Sequence, residues 1–370
     1  MHTSKDVVQA DSDYALEALK TEMESLGGHS VLITGGAGFL GYYFVLFMLA
    51  HNDRSEAAQR IHVTVYDNFM RGVPEWLSHL KERGDIDIVK HDIIDPLPVD
   101  LRPVDYIIHA ASIASPTFYR QHPLATMDAN VDGLRRLLEN SRERAQSGNP
   151  ISGFLFFSSS EIYGDPTPDN IPTDESYRGN VACIGPRACY DESKRYGETL
   201  CSTFANMYDL PITMARPFNN YGPGLKITDR RALPDFARDV LADRDISLLS
   251  DGGPTRTFCY VADAVVGYLK VLVRGAPGEP YNIGNPEPEI TIRELAECVA
   301  STARDLFGYS GEIVFAKSDD SQYLVDNPLR RCPSIKKARE ALDYEPRIGL
   351  EDGIRRSLIW YSENREGDSL

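Results

Sequence analysis

The stretch Ser30-Val31-Leu32-Ile33-Thr34-Gly35-Gly36-Ala37-Gly38-Phe39-Leu40-Gly41 decides how this chain folds. Its apolar run Val31–Thr34 reads as a buried strand, and an apolar helix follows from Tyr42 to about His51. Glycines between a strand and a helix let the backbone turn tightly and approach a pyrophosphate, whose charge then rests on the helix N-terminus. The next apolar run ends in Val65-Tyr66-Asp67 and so places a carboxylate where an adenosine ribose would lie. Such a carboxylate accepts a hydrogen bond from a 2′-hydroxyl and repels a 2′-phosphate, so NAD is expected rather than NADP, although Arg71 stands nearby. The residues expected around the cofactor are Gly35, Gly38, Phe39, Leu40 and Gly41 at the turn, Asp67 and Asn68 after the second strand, Asp92 and Ile93 after the third, and Ala110 and Ala111 after the fourth.

Outward from that turn, short apolar runs alternate with helical stretches: Ile61–Tyr66, Ile86–Lys90, Tyr106–Ala110, Gly153–Ser158 and Pro211–Ala215. The alternation predicts an α/β fold, a Rossmann-type doubly wound parallel sheet with helices on both faces. After Arg216 the texture changes to loops rich in Pro, Gly and Asn, which predicts a smaller C-terminal α/β substrate-binding domain. The expected division is an N-terminal extension over 1–28, a dinucleotide-binding domain over 29–215, and a substrate domain over 216–256 and 286–360. Residues 257–285 are expected to return to the first domain, with Phe258–Gly267 as the segment rejoining the sheet. The extension reads as a short acidic helix, a mobile tail or a dimer contact rather than a catalytic element.

With 370 residues, of which 42% are hydrophobic, the chain can bury a sizeable core. A net charge of −16 repels polyanions, so nucleic acid is not an expected partner, whereas a small anion can still be held by a local cluster of Arg. Six cysteines without a C-x-x-C pair suit reduced, buried thiols in a cytoplasmic protein. Neither an export signal nor an apolar run long enough for a membrane span is present, so no membrane partner is expected. All eight histidines lie at or before His122, none at metal-ligand spacing. No metal site is expected.

The fifth apolar run leads into Ser158-Ser159-Ser160-Glu161-Ile162-Tyr163-Gly164, and Tyr190-Asp191-Glu192-Ser193-Lys194 follows. Tyr190 and Lys194, at i and i+4, share one helix face. An ammonium beside a phenol favours the phenolate, which predicts a lowered Tyr190 pKa and a base that takes the proton of an alcohol undergoing oxidation. Both side chains are also expected to face the cofactor, with Ser159 holding the substrate oxygen against Tyr190. Tyr is common enough here, 19 in 370, that only the position downstream of the glycine turn gives the pair meaning.

Together, the glycine turn, the strand-end serines, Tyr190/Lys194 and Arg216-Pro217-Phe218-Asn219-Asn220-Tyr221-Gly222-Pro223 resemble the extended short-chain dehydrogenase/reductase (NAD-dependent epimerase/dehydratase) family over roughly residues 30 to 360. Within it the sequence is most similar to the UDP-glucuronate decarboxylases (UDP-xylose synthases). That similarity rests on Tyr66-Asp67-Asn68-Phe69, Ala114-Ser115-Pro116, Gly185-Pro186-Arg187-Ala188-Cys189-Tyr190-Asp191-Glu192, Thr255-Arg256-Thr257-Phe258-Cys259-Tyr260-Val261 and Arg331-Cys332-Pro333-Ser334.

The resemblance implies a lyase that oxidises C4 of UDP-glucuronate with a recycled NAD, releases CO2, and yields UDP-xylose or the UDP-4-keto-pentose. It implies catalytic roles for Tyr190, Lys194, Ser159 and Glu161. Glu161 and Arg331 would position the sugar carboxylate and handle the later proton transfer; Arg231 and Arg256 would hold the diphosphate or carboxylate, and Asn219 the diphosphate. Ser160 lies on the substrate side and stands where 4,6-dehydratases place an acidic Asp, which disfavours elimination. Ile113, where the decarboxylases have Pro, and Gly224, where many have Arg, depart from the pattern. The alternatives left open are a nucleotide-sugar 4-epimerase, a 4,6-dehydratase, an apiose-forming synthase, and a non-catalytic NAD-binding sensor or scaffold. A homodimer through helices near Asn130–Arg142 and Tyr190–Tyr208 is likewise implied by resemblance.

Overall fold

The computed structural model describes residues 1–98, 102–317, 322 and 325–364, so parts of the expected substrate domain at 318–321 and 323–324 lie outside the described residues. Six strands follow the six apolar runs to within a residue or two: β1 (Ser30–Thr34), β2 (His62–Asp67), β3 (Ile86–Lys90), β4 (Tyr106–His109), β5 (Gly153–Phe157) and β6 (Ile212–Pro217). A seventh, Pro280–Ile283, joins beside β6. Across the sheet the order is Pro280–Ile283, β6, β5, β4, β1, β2, β3, with every pair parallel. The strand order reverses at β1, which pairs with β2 on one side and β4 on the other. A crevice therefore opens beyond the carboxyl ends of β1 and β4, where the flanking connections diverge.

The helix after the glycine turn runs Phe39–Asn52, starting three residues earlier than its apolar sequence suggests. It is apolar nearly all round because it is covered on both sides. The N-terminal helix Ser4–Ala18 packs on one face and the helix Val261–Arg274 on another.

Two expectations are corrected here. The N-terminal extension is no loose tail: its helices Ser4–Ala18 and Lys20–Leu26, with Leu19 between them, place Ala15, Leu19, Met23 and Leu26 in the main core and bury Val7. Asp11, fully buried, accepts hydrogen bonds from the hydroxyls of Tyr43 (2.5 Å) and Tyr260 (2.7 Å) and pairs with Arg356 at 2.6 Å. The leader's apolar residues are spaced for one buried face, and the polar residues between them hid that stripe. Nor does Phe258–Gly267 rejoin the sheet. Cys259–Tyr260 pairs with Asn220–Tyr221, and Val261–Arg274 is a helix buried almost throughout, a case in which an apolar run does not separate buried helix from buried strand.

Beyond β6, a smaller α/β unit surrounds short strands. Thr255–Arg256 pairs antiparallel with Ile290–Thr291 and parallel with Arg330–Arg331, which sets Arg256 opposite Arg331. The capping box Thr291/Glu294 starts the helix Ile292–Phe307 that supports this unit.

Candidate active site

One cavity of about 1290 Å³ occupies the crevice between the sheet and the smaller unit. All the residues expected around the cofactor line it, as do Ser159, Ser160, Glu161, Tyr190, Lys194, Asn219, Arg231, Arg256 and Arg331. Residues spread over 300 positions of sequence thus meet at the carboxyl ends of the strands.

On the β1 side the glycine turn is tight. Gly35 has φ of 72°, and a Cβ there would lie 2.7 Å from the Ala111 backbone; a Cβ on Gly41 would lie 2.3 Å from the Gly36 carbonyl oxygen. Gly38 caps the helix Phe39–Asn52 without any side chain, so its first N–H groups point into the cavity free for an anion. Asp67 closes this side by accepting from the N–H groups of Ala37 (3.1 Å) and Phe69 (2.8 Å). Asn68 donates to Asp92 at 3.0 Å, which ties the ends of β2 and β3 together. These groups fit a dinucleotide's pyrophosphate and ribose. Arg71 does not face a ribose phosphate: it pairs with Asp229 at 2.9 Å and stacks over Phe118.

At the end of β5, Ser159 caps the short turn Ser160–Tyr163 by accepting from the Glu161 N–H at 3.1 Å. The helix Ala188–Tyr208 presents Tyr190 and Lys194 to it. Tyr119 stacks on the Tyr190 ring at 5.1 Å between centroids, and Lys194 Nζ, 5.7 Å from that ring, donates to the Phe157 carbonyl at 2.7 Å. Burial pushes the Lys194 ammonium down to about 7. The expected lowering of the Tyr190 phenol does not occur within the protein: burial, reinforced by Glu161 and Asp191, raises it to about 12 against the hydrogen bond with Ser159. Taking the phenol out of water disfavours the phenolate by more than the hydrogen bond with Ser159 returns. His109 hydrogen-bonds Thr34 at 2.7 Å and is held neutral, about 3, by burial and by Lys194.

Glu161 and Arg331, expected to act side by side on a substrate, are bound to each other. Arg331 reaches both Glu161 oxygens at 2.7 and 2.5 Å, and Arg187 reaches one at 2.5 Å. Burial opposes ionisation, but the two guanidiniums hold Glu161 well below the usual carboxylate range. A carboxylate so held positions charge and gives up no proton near neutral pH, so the expected proton-transfer role does not suit it. Arg187 and Asp191 stand in the stretch 185–192 with no role marked by the sequence. Asp191 is buried beside Tyr190, 3.9 Å from Arg187, and burial together with Glu161 pushes its carboxyl upward. Arg256 donates to the carbonyls of Thr255, Pro328 and Leu329, and burial beside Arg331 lowers it to about 9. Asn219 donates to the Thr257 carbonyl at 2.9 Å, and Arg231 pairs with Asp229 at 2.5 Å.

The two departures also find their places. Ile113 lines the cavity, and Gly224 has φ of 86° with Tyr42 only 2.6 Å from where a Cβ would stand. Tyr42 occupies the room that a larger residue at 224 would need. All six cysteines are free; Cys201, Cys259 and Cys332 are buried, whereas Cys183 is exposed, against the expectation of buried thiols throughout. Among the described residues no helix is long and apolar enough to cross a membrane.

A doubly wound sheet, a glycine turn with an acidic second strand end, and a Tyr/Lys pair facing the same cavity define a dinucleotide-dependent enzyme of alcohol chemistry. The NAD dependent epimerase/dehydratase family model matches residues 31–284, and the chain belongs to that family. It is 37% identical to UDP-glucuronic acid decarboxylase 3 of Arabidopsis thaliana over 88% of this chain and 86% of that one. With UDP-glucuronic acid decarboxylase 1 of Xenopus tropicalis it shares 34% identity over 91% of this chain and 73% of the relative. Among solved structures, an epimerase of Methanothermobacter thermautotrophicus superposes with a TM-score of 0.78 at 28% identity, covering 95% of this chain and 97% of that one. The dTDP-glucose 4,6-dehydratase of Streptomyces venezuelae, solved with NAD bound, gives 0.76 at 26% identity over 91% and 98%.

Proposed function

We propose that this chain is an NAD-dependent UDP-glucuronate decarboxylase. The observation that carries this reading is the charge balance beside Tyr190. Three buried arginines, Arg187, Arg256 and Arg331, surround one firmly ionised carboxylate, Glu161, while Asp191 is pushed toward its neutral form. Excess buried positive charge calls for an anionic ligand. A hexose offers none at C6 and a glucuronate does. The named relatives support the same choice over the epimerase and dehydratase alternatives.

NAD, when bound, would supply the acceptor for the C4 hydride and its donor at the end of the cycle. Tyr190 removes the C4 hydroxyl proton while Ser159 holds that oxygen, leaving a C4 ketone. The C6 carboxylate is then β to a carbonyl. Its bond to C5 breaks, the electron pair passes into the C4 carbonyl as an enolate, and CO2 departs. A proton taken up from solvent water at C5 gives the UDP-4-keto-pentose, and a hydride returned to C4, with the Tyr190 proton going to its oxygen, would give UDP-xylose. Arg187 and Arg331 fix Glu161 at the wall of the cavity, Arg256 would supply the uncompensated charge, and Arg231 and Asn219, which line the same cavity, would hold the diphosphate.

A homodimer is supported by exposed Leu124, Met127 and Tyr196 on the neighbouring helices Pro123–Asp128 and Ala188–Tyr208. Free thiols support a reducing, cytoplasmic setting. The test is to incubate the protein with UDP-glucuronate and NAD and follow CO2 and the mass of the sugar nucleotide. Loss of one CO2, abolished in Tyr190→Phe, is the expected result. Conversion of UDP-glucose or dTDP-glucose without CO2 release from UDP-glucuronate would move the enzyme to the epimerase or dehydratase branch.

A further inference from the structure

Between the cofactor side and the sugar side of the cavity lies a buried carboxylate that the reaction does not use. The Asp229 side chain is 3% exposed, and its two oxygens face two different arginines: Arg71 at 2.9 Å, from the loop after β2, and Arg231 at 2.5 Å, from the substrate side. One further bond joins the same segments and another ties in a third loop. Lys226 Nζ donates to the Arg71 carbonyl at 2.9 Å, and Ser115, in the loop after β4, donates to the Asp229 carbonyl at 2.9 Å. Arg71 is also braced against Phe118, with its guanidinium 4.4 Å from the ring centroid.

We propose that Asp229 is a positioning residue that couples the two binding events, so that a dinucleotide ordering the loop after β2 also fixes Arg231 for a nucleoside diphosphate. This rests on the binding sites in the reading above, though not on decarboxylation. One buried carboxylate whose two oxygens are each held by a different guanidinium ties together the segments that carry them, so a shift of either arginine moves Asp229 and, through it, the other. Arg71 is fixed by the loop that carries Asn68 and Phe69, directly after Asp67. Arg231 and Tyr190 line the same cavity. Each ligand therefore tightens the binding of the other by the same factor, as linkage requires.

Equilibrium dialysis of the full-length protein freed of NAD measures NAD affinity with and without saturating UDP as the probe. In the wild type UDP tightens NAD binding by about tenfold, within the usual range of coupling between sites. In Asp229→Asn, which keeps the shape and drops the charge, the two NAD affinities become equal, and Asp229→Glu restores part of the difference. Arg71→Met, a change on the cofactor side, removes the benefit of UDP as well and covers the case in which Asp229→Asn fails to fold. Wild-type coupling retained in both Asp229→Asn and Arg71→Met, or no effect of UDP on wild type, would overturn the proposal. Coupled binding without CO2 release from UDP-glucuronate would retire the decarboxylase reading and leave this inference standing.

Discussion

On the proposed reading Arg256 carries the charge that singles out an acidic sugar, and replacing it isolates that charge. Its guanidinium, 7% exposed, donates to neutral groups: the Thr255, Leu329 and Pro328 carbonyls and the Asn327 side chain. Arg187 and Arg331 have Glu161; Arg256 has no carboxylate among these hydrogen-bond partners. Arg256→Gln keeps donors for the carbonyls and removes the charge, whereas Arg256→Lys keeps the charge and loses the fork. A hydrogen bond to a charged group contributes about 1.5–3 kcal/mol, and about 1.4 kcal/mol is tenfold in affinity. Arg256→Gln should therefore weaken UDP-glucuronate binding by about 10- to 100-fold. UDP-glucose, which has no carboxylate, should be held nearly as before, and Arg256→Lys should fall between. Calorimetric titration with both nucleotides reads the ratio, and the melting temperature confirms the fold. Because burial and Arg331 hold Arg256 at about 9, wild-type affinity for UDP-glucuronate should fall as pH rises through that value, and Arg256→Gln should lack the step. Equal losses for both nucleotides would refute the assignment of the excess charge to the sugar carboxylate.

Three further outcomes follow from the geometry. Asp11→Ala removes the shared acceptor of two buried tyrosine hydroxyls and leaves Arg356 with Asp352 alone, so a loss of about 3–5 kcal/mol is expected, read by urea denaturation; no loss would mean that the N-terminal helices do not brace the body. Lys194 gives up its proton near 7 when folded but keeps it to about 10.5 when unfolded. Between those values the unfolded chain binds more protons, so wild-type stability should gain with pH relative to Lys194→Met, and parallel pH profiles would contradict the burial of the ammonium. Gly224→Arg meets both a positive φ and the Tyr42 ring, and should cost about 1–3 kcal/mol for the backbone alone. Adding Tyr42→Ser should recover the steric part only, which thermal melts of the double variant would show.

Locally coded features were legible in the sequence. The glycine turn, the acidic end of β2, the six apolar strands and the Tyr190/Lys194 spacing each depend on residues close together in the chain, and each stands in the structure where its pattern puts it. Burial and long-range pairing were not legible, because they depend on which segments pack together. Only the tertiary structure shows that the leader's Asp11 is locked between Tyr43, Tyr260 and Arg356. It also sets Arg331 on Glu161 across 170 residues and raises Tyr190 where proximity to a lysine suggests lowering. The physical reason is that a motif fixes which groups are present, while desolvation and partner choice, which govern their charge, are properties of the whole packed volume.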